Sequence, residues 1–167
     1  GLYNAEVSQY GRVSAGMQTV TVTGQNGYVY IQKQINVPMN GTMTVAIINT
    51  NTGLDLMEIT DMSCNGGAGT GCFRVCNLSN TNRNVDVSLN GGAVMFRNVN
   101  YREVTGFRYL STGYYTVTVS NSAAFGNAPL LTSSLFIRGN VSYTMYVFNW
   151  NNSRDAIRIL IVEDRRN

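Results

Sequence analysis

The chain repeats itself, and the two copies are unequal; no other feature limits its possible folds as much. At an offset of 97, Glu6-Val7-Ser8 and the run Ser14 to Thr23 (SAGMQTVTVT) meet Glu103-Val104-Thr105 and the run Ser111 to Ser120 (STGYYTVTVS). At an offset of 100, Ile35, Val37, Asn40, Thr44, Ile47, Asn49 and Asn51 meet Leu135, Ile137, Asn140, Thr144, Val147, Asn149 and Asn151; Asp61 then corresponds to Asp164. Self-similarity at a fixed spacing means that one supersecondary unit is used twice. Each copy reads strand, turn, strand, turn, strand.

The residue types support strands. Thr, Val, Ile and Tyr number 53, against 24 for Ala, Leu, Glu and Lys, and β-branched and aromatic side chains suit a pleated surface. Another 38 residues are Gly or Asn, the types that tolerate the positive φ of tight turns. At 44% hydrophobic and 13% charged, the chain can bury a core.

The second copy has a front part that the first does not. Cys72 to about Asn100 reads as two alternating strands with a polar turn near Asn80 to Asn84 and the Asn90-Gly91-Gly92 turn signal. The first copy starts at the position matching about residue 98 and is expected to lack its opening two or three strands. The expected fold is all-β, with two antiparallel β-sandwich units of the immunoglobulin or transthyretin type. The first unit, 1–62, is partial; 63–71 is a Gly-rich linker; 72–167 is a complete sandwich.

The second unit resembles the domain-of-unknown-function 4397 family of bacterial secreted and surface β domains. The residues that carry the resemblance are Phe73-Arg74-Val75 with Asn77-Leu78-Ser79, Val85 to Gly91, Leu110 to Val119, and the closing Ile159 to Asp164. The likeness covers about residues 72 to 164, with a weaker partial copy over 1 to 61. Where that family usually has a proline-containing turn between its first strands, this chain has Asn80-Thr81-Asn82-Arg83. The resemblance implies an extracytoplasmic β-sandwich, often in tandem, and brings no catalytic residues with it.

Several function classes are disfavoured by what is absent. There is no histidine, so the commonest general base and the commonest metal ligand are both missing. Apart from Glu163-Asp164, Asp and Glu occur singly, Ser111 has no base partner in sequence, and Gly66 to Gly71 is followed by neither the Lys nor the helix of a phosphate loop. No enzyme, cofactor or metal is expected. The eleven Arg and Lys33 are spread along the chain rather than gathered in a stripe, so no nucleic-acid partner is expected either. No apolar run approaches the roughly 18 residues of a membrane helix. Gly1 is followed by no signal-peptide pattern, as in a chain whose leader has been removed or an excised segment.

The candidate functional residues fall in two groups. Cys64, Cys72 and Cys76 lie in one window. On one strand Cys72 and Cys76 are roughly 13 Å apart and cannot pair with each other without a bend. Cys64, in a flexible run, can reach either; a link to a neighbouring subunit and three reduced thiols remain open. The second group is the row Tyr146, Phe148 and Trp150, on one face of a strand whose other face carries Met145 and Val147. It is either the outer side of a fully buried central strand or an aromatic contact surface for a subunit or sugar. Asp86, between Val85 and Val87, is expected to be a solvent-facing strand carboxylate.

A half-sandwich leaves unpaired backbone groups beside an apolar face, and something must cover them. The expected function is therefore a self-assembling structural subunit of a fibre, coat or surface layer, extracellular or on a cell or spore surface. Its partner would be itself, through intersubunit strand completion. The alternative is an adhesion module binding a glycan or peptide.

Overall fold

A computed structural model describes residues 13–39, 41–50, 52–61, 64, 66–122, 129–149 and 157–164. These residues form twelve strands in two compact units, Gly1–Met62 and Ser63–Asn167. The first unit holds β1 (Gly16–Thr23), β2 (Val29–Val37), β3 (Thr42–Thr50) and β4 (Gly53–Asp61). The second holds β5 (Thr70–Asn77), β6 (Asn84–Leu89), β7 (Val94–Asn100), β8 (Arg108–Ser111), β9 (Gly113–Asn121), β10 (Pro129–Ile137), β11 (Ser142–Asn149) and β12 (Ile157–Asp164). The all-β expectation holds.

The second unit is built from two four-stranded sheets, ordered β10-β9-β6-β7 and β12-β11-β5-β8. All neighbours are antiparallel except β11 and β5, which run parallel. Alternation along each strand supplies the core. Phe73 and Val75 of β5, Val85 and Val87 of β6, Val117 and Val119 of β9, and Tyr143, Met145 and Val147 of β11 form one buried cluster. Tyr114, Thr116 and Thr118 take the other face of β9 and stay at least partly wet, as a period of two requires.

The first unit has only two hairpins, β1-β2 and β3-β4. Their registers reproduce those of the second unit. Gly16 faces Val37 as Gly113 faces Ile137, and Thr42 faces Asp61 as Ser142 faces Asp164. Even the bulge recurs: the partners skip from Ile31 to Val29 opposite Val22 and Thr23, and from Leu131 to Pro129 opposite Val119 and Ser120. Thus β1 to β4 are the counterparts of β9 to β12. Lys33 ties the hairpins together, with Nζ donating to the Leu56 carbonyl at 3.2 Å and lying 3.8 Å from the Asp55 carboxylate.

The glycine run expected to be a linker instead belongs to the second unit. Asn140 N–H donates to the carbonyls of Gly67 and Thr70, both at 3.1 Å, and Thr112 N–H to that of Gly69. The β10-β11 turn therefore closes directly on the run. A Cβ at Gly139 would lie 1.8 Å from the Ala68 carbonyl oxygen, whereas one at Gly69 would meet nothing within 4 Å. Backbone cannot yield as a flexible side chain can. Gly139→Ala should destabilise the second unit by about 1–3 kcal/mol and Gly69→Ala should be close to neutral, as measured by denaturant unfolding of the two variants.

Candidate functional site

The two units differ in how many of their strand edges are paired. In the second unit β9 is paired on one edge with β10 and on the other with β6, and β11 is held between β12 and β5. Their counterparts have half of this. Among the described residues β1 pairs only with β2, and β3 only with β4. Each leaves one edge of N–H and C=O groups without a strand partner.

The side chains next to these edges show the same deficit. Val117 and Val119 are 1% and 0% exposed, while Val20 and Val22 at the equivalent positions are only half-buried. Tyr143, Met145 and Val147 are fully buried; Met43 and Val45 are half-buried, and Ile47 is 44% exposed. These residues have the alternation of core positions without a complete core.

Charge is unevenly distributed over the strands: the inner strands β5 and β6 carry the buried Arg74 and Asp86, and the outer strand β10 carries none. The outer strands carry Lys33 in β2, Asp55, Glu58 and Asp61 in β4, Arg97 in β7, Arg108 in β8 and Arg158 in β12; β10 opens with Pro129. Charges and proline are the usual guards of a sheet edge against pairing with another chain. β9 and β11, both inner, carry no charged residue, and neither do β1 and β3. In carrying no charge, β1 and β3 match their counterparts β9 and β11.

The cysteines form an intrachain bond. Cys64 and Cys72 form a disulfide with their Cα atoms 6.0 Å apart, and Cys76 is free. The bridge from Cys64 is one of the pairings the sequence left open, and Cys76, 0% exposed, is a buried thiol. Burial pushes the Cys76 thiol up to about 12, against the opposing pull of Arg74. Arg74 is itself buried, its Nε donating to Thr144 Oγ1 at 2.9 Å and its guanidinium 4.6 Å from the centre of the Phe107 ring.

Two members of the aromatic row are described, and they have the burial of an enclosed strand. Tyr146 is 7% exposed and Phe148 half-buried, because β11 is an inner strand enclosed on both edges; Trp150 lies outside the described residues. Two aromatic pairs are exposed: Tyr114 with Phe136, cross-strand neighbours with ring centres 4.5 Å apart and exposures of 83% and 41%, and Tyr28 with Tyr30, 5.0 Å apart and 62% and 54% exposed. Asp86 also departs from expectation. It is 5% exposed, and its Oδ1 accepts from the Asn98 N–H and from Ser122 Oγ, both at 2.7 Å. The register slips between Val85 and Val87 opposite β7, and Asn98 has φ 54°. The carboxylate therefore serves the backbone of an irregular ladder, an irregularity that alternation along the sequence does not reveal.

A polar network at the β5-β6 turn takes the place of the proline turn. Asn77 Nδ2 donates to the carbonyls of Asn82 and Val99 at 3.0 and 3.1 Å. Ser79 N–H donates to Asn77 Oδ1, Asn82 N–H to Ser79 Oγ, and Asn121 Nδ2 to Asn82 Oδ1. Ser79 also bonds Asn149. These contacts cross between the two sheets and fix the turn without proline. Among the described residues no group of three or more His, Cys, Asp or Glu is placed to hold a metal ion, and no helix is long and apolar enough to cross a membrane.

A double-unit β protein with one complete sandwich, one half-sandwich and a disulfide is the class that fold and site define. The sequence matches the domain of unknown function DUF4397 over residues 2–88 and again over 81–167, and the chain belongs to that family. The first match runs past the first unit, through β5 and into β6. No curated protein matches the chain.

The buried thiol gives a pH prediction. A folded-state value raised from 9.0 to about 12 stabilises the fold fully below pH 9 and loses that contribution as the pH rises toward 12. No thiol should react with a disulfide reagent in the native protein at pH 8, and one should react after unfolding. Between pH 9 and 12 the unfolding free energy should fall more steeply than in a Cys76→Ala variant.

Proposed function

We propose that this chain is a non-enzymatic structural protein acting outside the cytoplasm, a subunit of a fibre, coat or surface layer whose copies complete one another's sheets. The observation that carries this reading is the pair of open, uncharged strand edges on β1 and β3. Leaving such an edge in water beside apolar side chains invites pairing with any exposed strand, and natural proteins guard against it unless pairing is wanted. Here the guards sit on β2 and β4 and are absent from the strands that need them most. Main-chain hydrogen bonds would supply affinity, and the half-buried Val20, Val22 and Val45 with the exposed Ile47 would supply the apolar contact.

The disulfide between Cys64 and Cys72 supports an oxidising compartment, and a rigid sandwich with a buried polar turn suits a protein that must persist there. A second reading, adhesion to a glycan or peptide, is favoured by the exposed Tyr114 and Phe136 pair, since aromatic faces stack on sugar rings. The two readings separate in solution. A structural subunit gives particle mass that rises with concentration and ordered assemblies in negative-stain microscopy without added ligand. A monodisperse monomer at all concentrations, binding a glycan through a surface lost in Tyr114→Ala, would replace the first reading with the second.

A further inference from the structure

We infer that the first unit is completed by the first unit of a second copy, the two half-sandwiches closing about a two-fold axis into one eight-stranded sandwich. This rests on the self-assembly reading above and names its joint.

Three observations lead to it. First, both open edges face the same side. β2 lies against β4, as β10 lies against β12, so the outer strands stack on each other and β1 and β3 are left together along one flank. Second, the strand count closes. A two-fold axis perpendicular to the sheets turns the two hairpins into four-stranded sheets ordered β2-β1-β1-β2 and β4-β3-β3-β4, the sizes of the two sheets of the second unit. The β1-β1 joint is antiparallel, like the β9-β6 joint it replaces. The β3-β3 joint is antiparallel where β11 and β5 are parallel, a change that extended backbone accommodates. Third, the strands that complete the second unit are already committed. Phe73, Val75, Val85 and Val87 are each 0% exposed, so donating β5 and β6 to a neighbour would empty one sandwich to fill another. Among the described strands, the uncharged counterparts of β9 and β11 that keep an open edge are β1 and β3 themselves.

The size of the contact suits a stable pair. A standard interface takes about 800 Å² and roughly 20–30 residues from each partner. β1 and β3 bring eight and nine residues, and core-facing side chains of β2 and β4 border them. The charged positions among the described residues of this unit, Lys33, Asp55, Glu58 and Asp61, lie on the strands that the two-fold keeps on the outside. Because each copy presents the same edges, the contact is isologous and closed. It gives a pair with a second unit on each copy, and any longer fibre requires a further contact elsewhere.

Sedimentation equilibrium on the whole chain tests this, with Ile47→Glu as the probe. Ile47 is 44% exposed within one copy, so the substitution spares the monomer, but in the pair it buries two unpaired carboxylates in the joint core. Wild type should be a dimer or a multiple of dimers, Ile47→Glu should weaken the pairing at least 100-fold while retaining the β circular dichroism of wild type, and Met39→Glu, at a position 79% exposed outside the strands, should leave it unchanged. Independently of that variant's folding, Thr19→Cys or Thr21→Cys on β1 should oxidise to a covalent dimer and Gln32→Cys on β2 should not. Assemblies that survive Ile47→Glu, or that cross-link through Gln32→Cys and not through β1, would overturn the two-fold joint while leaving self-assembly standing. A wild-type chain that stays monomeric at every concentration would overturn both.

Discussion

A strand can be an inner strand only if hydrogen-bonding partners stand on both of its edges, and the rest of this molecule follows from where that condition is met. In the second unit β9 and β11 have both partners, and the side chains beside them, Val117, Val119, Met145 and Val147, are sealed from water. In the first unit β1 and β3 have the same uncharged composition, the same register and the same bulge, with one partner each. The contrast lies within one polypeptide, so the second unit serves as an internal control for the first. Four strands, β5 to β8, separate a closed core from an open one.

The repeat made this legible before any coordinates. Aligning Ser14 to Thr23 with Ser111 to Ser120, and Ile35 to Asn51 with Leu135 to Asn151, is enough to place both hairpins of the first unit. Side-chain periodicity fixes register wherever one face is apolar, and the observed pairings follow it. Three features were not legible. Asp86 read as an outward carboxylate because alternation assumes an unbroken ladder, and the register shift opposite β7 redirects it to the Asn98 N–H. Tyr146 read as a candidate contact because an apolar outer face and an exposed one look alike in sequence; enclosure of β11 between β12 and β5 is a tertiary fact. The run Gly66 to Gly71 read as a linker because its composition is that of flexible chain, yet small residues are also what a close backbone approach requires, as at Gly71 beside the Arg138 carbonyl.

The cysteine window illustrates how one strand serves two purposes. Cys72 begins the run of β5 that pairs with β11 and also anchors the disulfide to Cys64, while Cys76, four residues further on, stays a buried thiol. The stabilising features, disulfide, Asn77 network and Asp86, all sit in the second unit. The first unit has the Lys33 contacts and the Thr44 to Asp61 hydrogen bonds between β3 and β4. Family membership adds the fold shared by the two units.

The central claim concerns backbone groups, and amide hydrogen exchange reads those groups directly. If β1 and β3 are completed between copies, their amides should exchange as slowly as those of β9 and β11 at concentrations where the protein associates, and should lose that protection on dilution while β9 and β11 keep theirs. Exchange in β1 and β3 that does not change with concentration, whether fast throughout or slow throughout, would contradict it.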